Sequence, residues 1–302
     1  MTDWIKSPEN PVLGPGYCLQ ALFDSCVVPE ENRLRIWLSW RDLHSIALSE
    51  SADGTRWTAP RIVLERDATI EWEKDDINRP HVLNVNGTWH MWYTGQNRAA
   101  QRSAIGLATS PDGEHWERRG TNPVMEPTGG WEKNSIMCPH VLYDNGRFRM
   151  WYSGGEMYEP DALGYAESDD GIDWRREPAN PIFRPAEGWE SDRVTAACIV
   201  PRQSDYLAFY VGFAEGFEEA RIGMARSVDG VHNWKRYPAN PIITPGPPGS
   251  WDDCNVYKPY VVQWHNQWYL WYNASRLSDR REQIGLATID QIDWPPAGSP
   301  TT

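Results

Sequence analysis

Cysteine is scarce in this chain, and its few copies are not spaced as pairs. Cys18, Cys26, Cys138, Cys198 and Cys254 are an odd number with no Cys-x-x-Cys motif, which argues against a disulfide framework and against a zinc ribbon. Basic residues are also in deficit, 29 Lys and Arg against 42 Asp and Glu. The resulting net charge of -13 disfavours a general nucleic-acid or anionic-membrane surface, because phosphate binding needs a basic face. No apolar run approaches the length of a membrane span. The first residues, Met1-Thr2-Asp3-Trp4-Ile5-Lys6, have neither the charged nor the apolar region of a secretion signal, so a cytoplasmic protein is expected.

What the chain has in abundance is tryptophan, 18 residues, placed in one fixed phase. The fingerprint W-x7-P-x11-W-Y reads Trp72, Pro80, Trp92-Tyr93, then Trp131, Pro139, Trp151-Tyr152, then Trp251, Pro259, Trp271-Tyr272. Degenerate copies at Trp189, Ala197, Phe209-Tyr210 and at Tyr17, Ser25, Trp37 keep the same gaps. Repetition at this period is the mark of a closed array of like units. Within a unit the apolar residues alternate, as in Arg147-Phe148-Arg149-Met150-Trp151-Tyr152, which is the period of a strand. Four antiparallel strands per unit make a propeller blade, so the expected fold is all-β, a five-bladed β-propeller. One domain over residues 1-302 is expected, with blades near 10-60, 61-121, 122-179, 180-239 and 240-294 plus 3-7.

Four of the five units also carry a Ser-x-Asp-Gly turn, at Ser51, Ser110, Ser168 and Ser227, followed by Trp57, Trp116, Trp174 and Trp234. Glycine there supplies the positive φ of a tight hairpin, so these turns are read as structural. From three of these Trp to an Asn-Pro is six residues, Trp116 to Asn122, Trp174 to Asn180 and Trp234 to Asn240, and the same gap runs from Trp4 to Asn10. That phase makes Trp4-Ile5-Lys6 the fourth strand of the last blade. The competing segment, Asp293-Trp294, runs into Pro295-Pro296, which cannot donate ladder bonds.

In such an array the loops before the inner strands and the loops joining strands two and three surround one axial mouth. Both sets are rich in Asp, Glu, Asn, Arg and His, whereas the opposite face has ordinary hairpins. Loops on a rigid scaffold carry most chemistry, so the mouth is the expected functional site.

With its Asn-Pro-(Val/Ile), Gly-x-Trp-(Glu/Asp) and Trp-Tyr elements in five phased units, the chain resembles the five-bladed β-propeller glycoside hydrolases, the superfamily of families 32, 43, 62, 117 and 130. The resemblance covers essentially the whole sequence. It implies a general-base Asp just before the first inner strand, and Phe23-Asp24-Ser25-Cys26 puts Asp24 there. The further Asp and Glu implied in blades two and three are replaced by Arg79 and Met137, and the Asn-Asp-Pro and Arg-Asp-Pro signatures of family 32 are absent.

Glycoside hydrolysis needs one carboxyl group to protonate the leaving oxygen and another to activate water or attack the sugar. Asp24 is the expected base or nucleophile, Glu156 the expected acid and Asp76 a residue that orients substrate or tunes a neighbour. Trp40 and Tyr158 break the repeat within mouth loops and are expected to stack on sugar. Arg41, Asp75, Asn78, Arg79, His81, His140, Asp192, Asp253 and Lys258 complete the expected substrate-binding set. Cys26, His81, His140 and Cys198 share one height, which leaves an axial metal as a lesser alternative to a cofactor-free site. The leading expectation is a hydrolase of a small or terminal sugar unit. The alternatives are a glycoside phosphorylase resembling family 130, with inorganic phosphate held by cations such as Arg79 and Lys258, and a non-hydrolytic sugar-binding or biosynthetic propeller.

Overall fold

A computed structural model describes residues 4-157, 160-214 and 219-294. Its strands fall into five four-stranded antiparallel units. Blade one is β2 (Leu22–Pro29), β3 (Leu34–Trp40), β4 (Ser45–Ser51) and β5 (Arg61–Glu65). Blade two is β6 (Asp76–Val85), β7 (Thr88–Asn97), β8 (Arg102–Ser110) and β9 (Glu117–Arg118). Blade three is β10 (Ser135–Asp144), β11 (Arg147–Gly155), β12 (Pro160–Ser168) and β13 (Arg175–Arg176). Blade four is β14 (Arg193–Pro201), β15 (Tyr206–Phe213), β16 (Arg221–Ser227) and β17 (Lys235–Arg236). Blade five is β18 (Asn255–Trp264), β19 (Gln267–Ser275) and β20 (Glu282–Ile289), completed by β1 (Ile5–Lys6). The β1 pairing, Ile5 with Thr288 and Lys6 with Ala287, is the expected capture of the N-terminal segment and covers an open sheet edge. Among the described residues no helix is long and apolar enough to cross a membrane.

The repeated residues turn out to be the joints of the array. Blades two to five each bury an acid against the tyrosine of the second strand and a cation of the fourth. Tyr93 donates to Glu73 at 2.7 Å and Arg118 pairs with the same carboxylate at 2.7 Å; Tyr152 and Arg176 do the same to Glu132. Arg236 pairs with Glu190 in blade four. In blade five the cation comes from the other end of the chain, Lys6 to Asp252 at 2.6 Å. The Trp of each second strand reaches into the next blade: Trp37 to the Gly113 carbonyl, Trp92 to Gly171, Trp151 to Gly230, and Trp271 across the closure to Gly54. Phe209 has no indole N–H, and at that joint Trp4 meets its ring edge-on at 5.9 Å. In the hairpins Ser110 Oγ accepts the Gly113 N–H and Asp112 accepts the N–H groups of Glu114 and His115, so the Ser-x-Asp-Gly residues hold their own turns.

Candidate active site

Every inner strand is broken at one level. The register slips between Phe23 and Cys26, Asn78 and His81, Met137 and His140, Thr195 and Cys198, and Tyr257 and Tyr260. At each slip one non-glycine residue sits in the left-handed region: Asp24 (φ 56°), Arg79 (55°), Cys138 (54°), Ala196 (51°) and Lys258 (51°). Such a backbone costs on the order of 1–3 kcal/mol per residue and persists only where the surroundings impose it. A bulge re-aims the side chain of its extra residue. Four of these bulges are tied to the preceding blade, because a polar side chain there accepts the bulge N–H. Asn273 holds Asp24 at 2.9 Å, Ser39 holds Arg79 at 2.8 Å, Thr94 holds Cys138 at 3.2 Å and Ser153 holds Ala196 at 2.9 Å. On the blade preceding Lys258 the equivalent residue is Val211, whose side chain has no acceptor.

The five bulge residues divide the mouth into two arcs. Lys258, Asp24 and Arg79 come from neighbouring blades five, one and two, so a carboxylate stands between two cations. Asp24 is 2% exposed, with Asn273 Nδ2 at 3.3 Å, Ser39 Oγ at 3.5 Å and Arg79 Nε at 3.9 Å from its oxygens. Arg79 also donates to Asn78 Oδ1 at 2.6 Å, and Asn78 donates to Gln96. Asp76 is buried beside His44 at 3.6 Å and Arg98 at 3.4 Å. Burial pushes its carboxyl above the usual range, and the electrostatic pull of the neighbouring His44, Arg98 and Arg79 only partly opposes this. The other arc, on blades three and four, is apolar: Met137, Cys138, Ala196, Val211 and Ala220 pack as one cluster with Phe213 and Tyr257 against it.

A carboxylate that sequence reasoning passed over joins the charged arc. Glu282, the first residue of β20, lies beside Arg41, with Nη2 to Oε2 at 3.1 Å. Burial raises its pKa, Arg41 and a hydrogen bond from Tyr257 oppose the shift, and the charge of Asp24 adds to it. Its only signal in the sequence was a place at the end of a mouth loop, one acid among many.

The remaining expected residues have other surroundings. Glu156 is 69% exposed in its side chain and pairs with Lys133 at 3.3 Å, with no contact to Asp24 or Asp76. Lys133 also pairs with Asp161 at 2.6 Å, so Glu156 belongs to an exposed ion-pair cluster rather than to the buried acids. Asp75 accepts the Arg98 N–H, and Asp253 accepts the N–H groups of Gly249 and Leu277, so both cap loops. Asp192 pairs with its neighbour Arg193. Trp40 ends β3 half-buried against the core, and Arg41 lies over the Phe23 ring at 4.5 Å. Tyr158 lies outside the described residues.

Below the bulges the axis is filled by Cys26, His81, His140, Cys198 and Tyr260. The rings of His81 and His140 are 4.4 Å apart, with Tyr260 at about 6 Å from both. Each Nε2 faces a carbonyl of the next blade, His81 to Val141 at 2.7 Å and His140 to Ile199 at 3.0 Å. These nitrogens therefore carry their protons toward blade-to-blade bonds rather than toward a sugar or a metal. Burial pushes His81 down to about 3 and the Cys26 and Cys198 thiols up to about 11 and about 12, so the ring is uncharged at neutral pH. Among the described residues no group of three or more His, Cys, Asp or Glu is arranged to hold a metal ion. Lys258, 7% exposed, stands over this uncharged ring and has no carboxylate within ion-pair distance among the described residues.

No family model matches the chain. It is 27% identical over 242 residues to the uncharacterized protein Rv1502 of Mycobacterium tuberculosis, which covers 72% of this chain and 76% of that protein. It is 24% identical over 240 residues to a 1,2-beta-oligomannan phosphorylase of a Thermoanaerobacter species, covering 76% and 75%. With the probable arabinan endo-1,5-alpha-L-arabinosidase A of Aspergillus fumigatus it shares 34% identity over 150 residues, 48% of this chain and 43% of that one. Among solved structures, a glycosyl hydrolase from Bacteroides ovatus superposes with a TM-score of 0.76 at 17% identity, over 96% and 94% of the two chains. A beta-1,2-mannobiose phosphorylase from Listeria innocua superposes with a TM-score of 0.71 at 15% identity, over 95% and 96%. In fold, along nearly its whole length, the chain is similar to the propeller enzymes of the glycoside hydrolase superfamily, families 43 and 130 among them.

Proposed function

We propose that the axial mouth cleaves a glycosidic bond of a carbohydrate. In this reading Asp24 is the base that activates the attacking group, and Glu282 is the acid that protonates the leaving oxygen. The observation that carries it is the unequal pair of acids on one arc. Asp24 faces the Arg79 cation and two polar partners, whereas Glu282 is pushed toward its protonated form by burial and by the charge of Asp24. A buried carboxyl held toward its protonated form beside a second carboxylate is a usual arrangement of an acid and a base. Glu282 replaces Glu156 in this role because an exposed, lysine-paired carboxylate lacks both the burial and the neighbour that hold a proton. Asp76 and Arg79 orient the sugar hydroxyls, and the apolar arc of Met137, Cys138 and Ala196 faces the carbon-bound hydrogens of the ring. No cofactor is required. Turnover on a panel of arabino- and manno-oligosaccharides tests the reading: Asp24→Asn and Glu282→Gln should each lower kcat by at least about a hundredfold. Unchanged rates in both would overturn it, and binding without turnover by the native protein would favour a sugar-binding propeller.

A second reading has phosphate as the attacking group in place of water. Lys258 favours it, as a nearly buried cation with no carboxylate in ion-pair distance among the described residues, flanking Asp24 opposite Arg79. Release of sugar 1-phosphate only when inorganic phosphate is present would select it, and phosphate-independent release of reducing sugar would select hydrolysis.

A further inference from the structure

The Asn of the Asn-Pro element does one job in three of the blade junctions. Asn10 bonds Leu286 through both its amide atoms, Asn180 bonds Tyr165 and Asn240 bonds Met224 in the same way, and each also donates to the second-strand tyrosine of that blade. Asn122, at the same phase in blade two, makes none of these bonds and is exposed. The linker it belongs to is bonded to β8 on either side of it, Arg119 to Leu107 and Val124 and Met125 to Ile105, and a cleft of about 620 Å³ opens beside Asn122. Its walls include Trp72, Asn97, Arg102, Thr121 and Asn122.

The cleft is built like a carbohydrate subsite. Trp72 is seated on Gly95 and Gly106, where an added Cβ would fall within 2.5 Å of its ring, and its Nε1 is bound to the Thr121 carbonyl, so the indole is fixed in place. Asn97 is fixed by bonds to Glu71 and from Ala100. Around this rigid floor the Asn122 amide and the Arg102 guanidinium, which pairs with Glu126 at 3.4 Å, supply planar polar groups for hydroxyls. An apolar ring face beside a few convergent polar groups is what a sugar needs. The segment before β6 and the loop joining β7 to β8 both line the cleft, and Arg98, which follows the cleft residue Asn97 in that loop, touches Asp76 of the charged arc at 3.4 Å. The volume exceeds that of one ring and falls in the usual range for small-molecule sites of about 300–1,000 Å³.

We propose that this cleft binds the distal sugar units of an oligosaccharide whose scissile bond lies at Asp24, so that the substrate is a chain of several units running over blade two. The proposal rests on the glycoside reading of the mouth and adds the length and direction of the substrate. The test uses α-1,5-linked arabino- and β-1,2-linked manno-oligosaccharides of two to six units with the native protein and with the double variant Arg102→Ala, Asn122→Ala. In whichever series is cleaved, kcat/KM of the native protein should rise with length. The double variant should lose about tenfold in kcat/KM on the longer members and less than twofold on the dimer. Equal values for both proteins at every length would overturn the subsite. If neither series is cleaved, titration of the hexamers decides it separately. Weaker binding by the double variant supports the cleft while the catalytic reading fails, and absence of binding to the native protein, or equal binding by both proteins, overturns the cleft.

Discussion

Replacing Lys258 with methionine should make the ligand-free protein more stable and less active at once. The side chain is 7% exposed, its axial neighbours Cys26, His81, His140 and Cys198 are uncharged, and no carboxylate is in reach among the described residues. Taking an ion out of water without compensation costs several kcal/mol even after relaxation. Methionine keeps the length of the stem, so its packing is retained and no cavity forms. The left-handed backbone at φ 51° is equally uncomfortable for either residue and cancels. Allowing for access from the mouth, the expected gain is about 2 kcal/mol. With an unfolding entropy near 2.1 cal/mol/K per residue, a chain of 302 residues has about 0.6 kcal/mol/K, so Tm should rise by roughly 3 °C. Phosphate sharpens the comparison under the phosphorolytic reading. At a hundred times its Kd it would add about 2.7 kcal/mol to the native protein, roughly 4 °C, and nothing to the variant. Thermal unfolding with and without phosphate, followed by circular dichroism, measures both. A fall in Tm of several degrees for Lys258→Met would refute the view of Lys258 as an uncompensated charge.

Four further outcomes are expected. Arg176→Met strands the fully buried Glu132 carboxylate, and loss of a buried pair of this kind should cost about 3–5 kcal/mol, read from a denaturant midpoint. Lys6→Met should destabilise blade five by less, because Lys6 is a third exposed, and removal of residues 1-6 should lower the denaturant midpoint at least as far; an unchanged midpoint for the shortened chain would mean that β1 does not close the blade. Native stability should fall as pH drops from 8 to 5, because the unfolded chain protonates histidine near 6.5 while His81 takes no proton until about 3. The expected loss is about 2 kcal/mol for His81 alone at pH 5. His81→Gln, which can keep the bond to Val141, should flatten the profile by that amount. The comparison with the native protein removes the opposite contribution of Asp76 and Glu282. Burial raises the pKa of those two carboxyls, so their contribution is present at low pH and is lost as pH rises through the raised values. Finally, Glu282→Gln should remove the alkaline limb of the kcat profile while leaving the KM of substrate nearly unchanged, and loss of binding alone would assign Glu282 to substrate contact instead.

The sequence by itself determined the scaffold, and the reason is repetition. A Trp, Pro and Trp-Tyr at fixed gaps in three units, with weaker copies in two more, admit only like units in series, and the Trp4 to Asn10 spacing placed β1 on blade five before any contact was known. The same gaps placed Asp24, Arg79, Cys138, Ala196 and Lys258 at one level, where the structure finds five bulges of the same hand. A fixed period works this way because each copy meets the same neighbours, so one physical role recurs at one phase. What distinguishes the copies was not legible. Asp75 and Asp253 look like Asp76 in sequence, but backbone N–H groups capture the first two and burial isolates the third. His81 and His140 look like sugar ligands until their Nε2 atoms are seen on the carbonyls of the next blade. Glu282 gains its character from Asp24, 258 positions earlier, and from Tyr257 and Arg41 on two different blades. Burial, charge partners and proton-holding depend on which groups the closing of the ring brings within a few ångströms, so only the tertiary structure decided them.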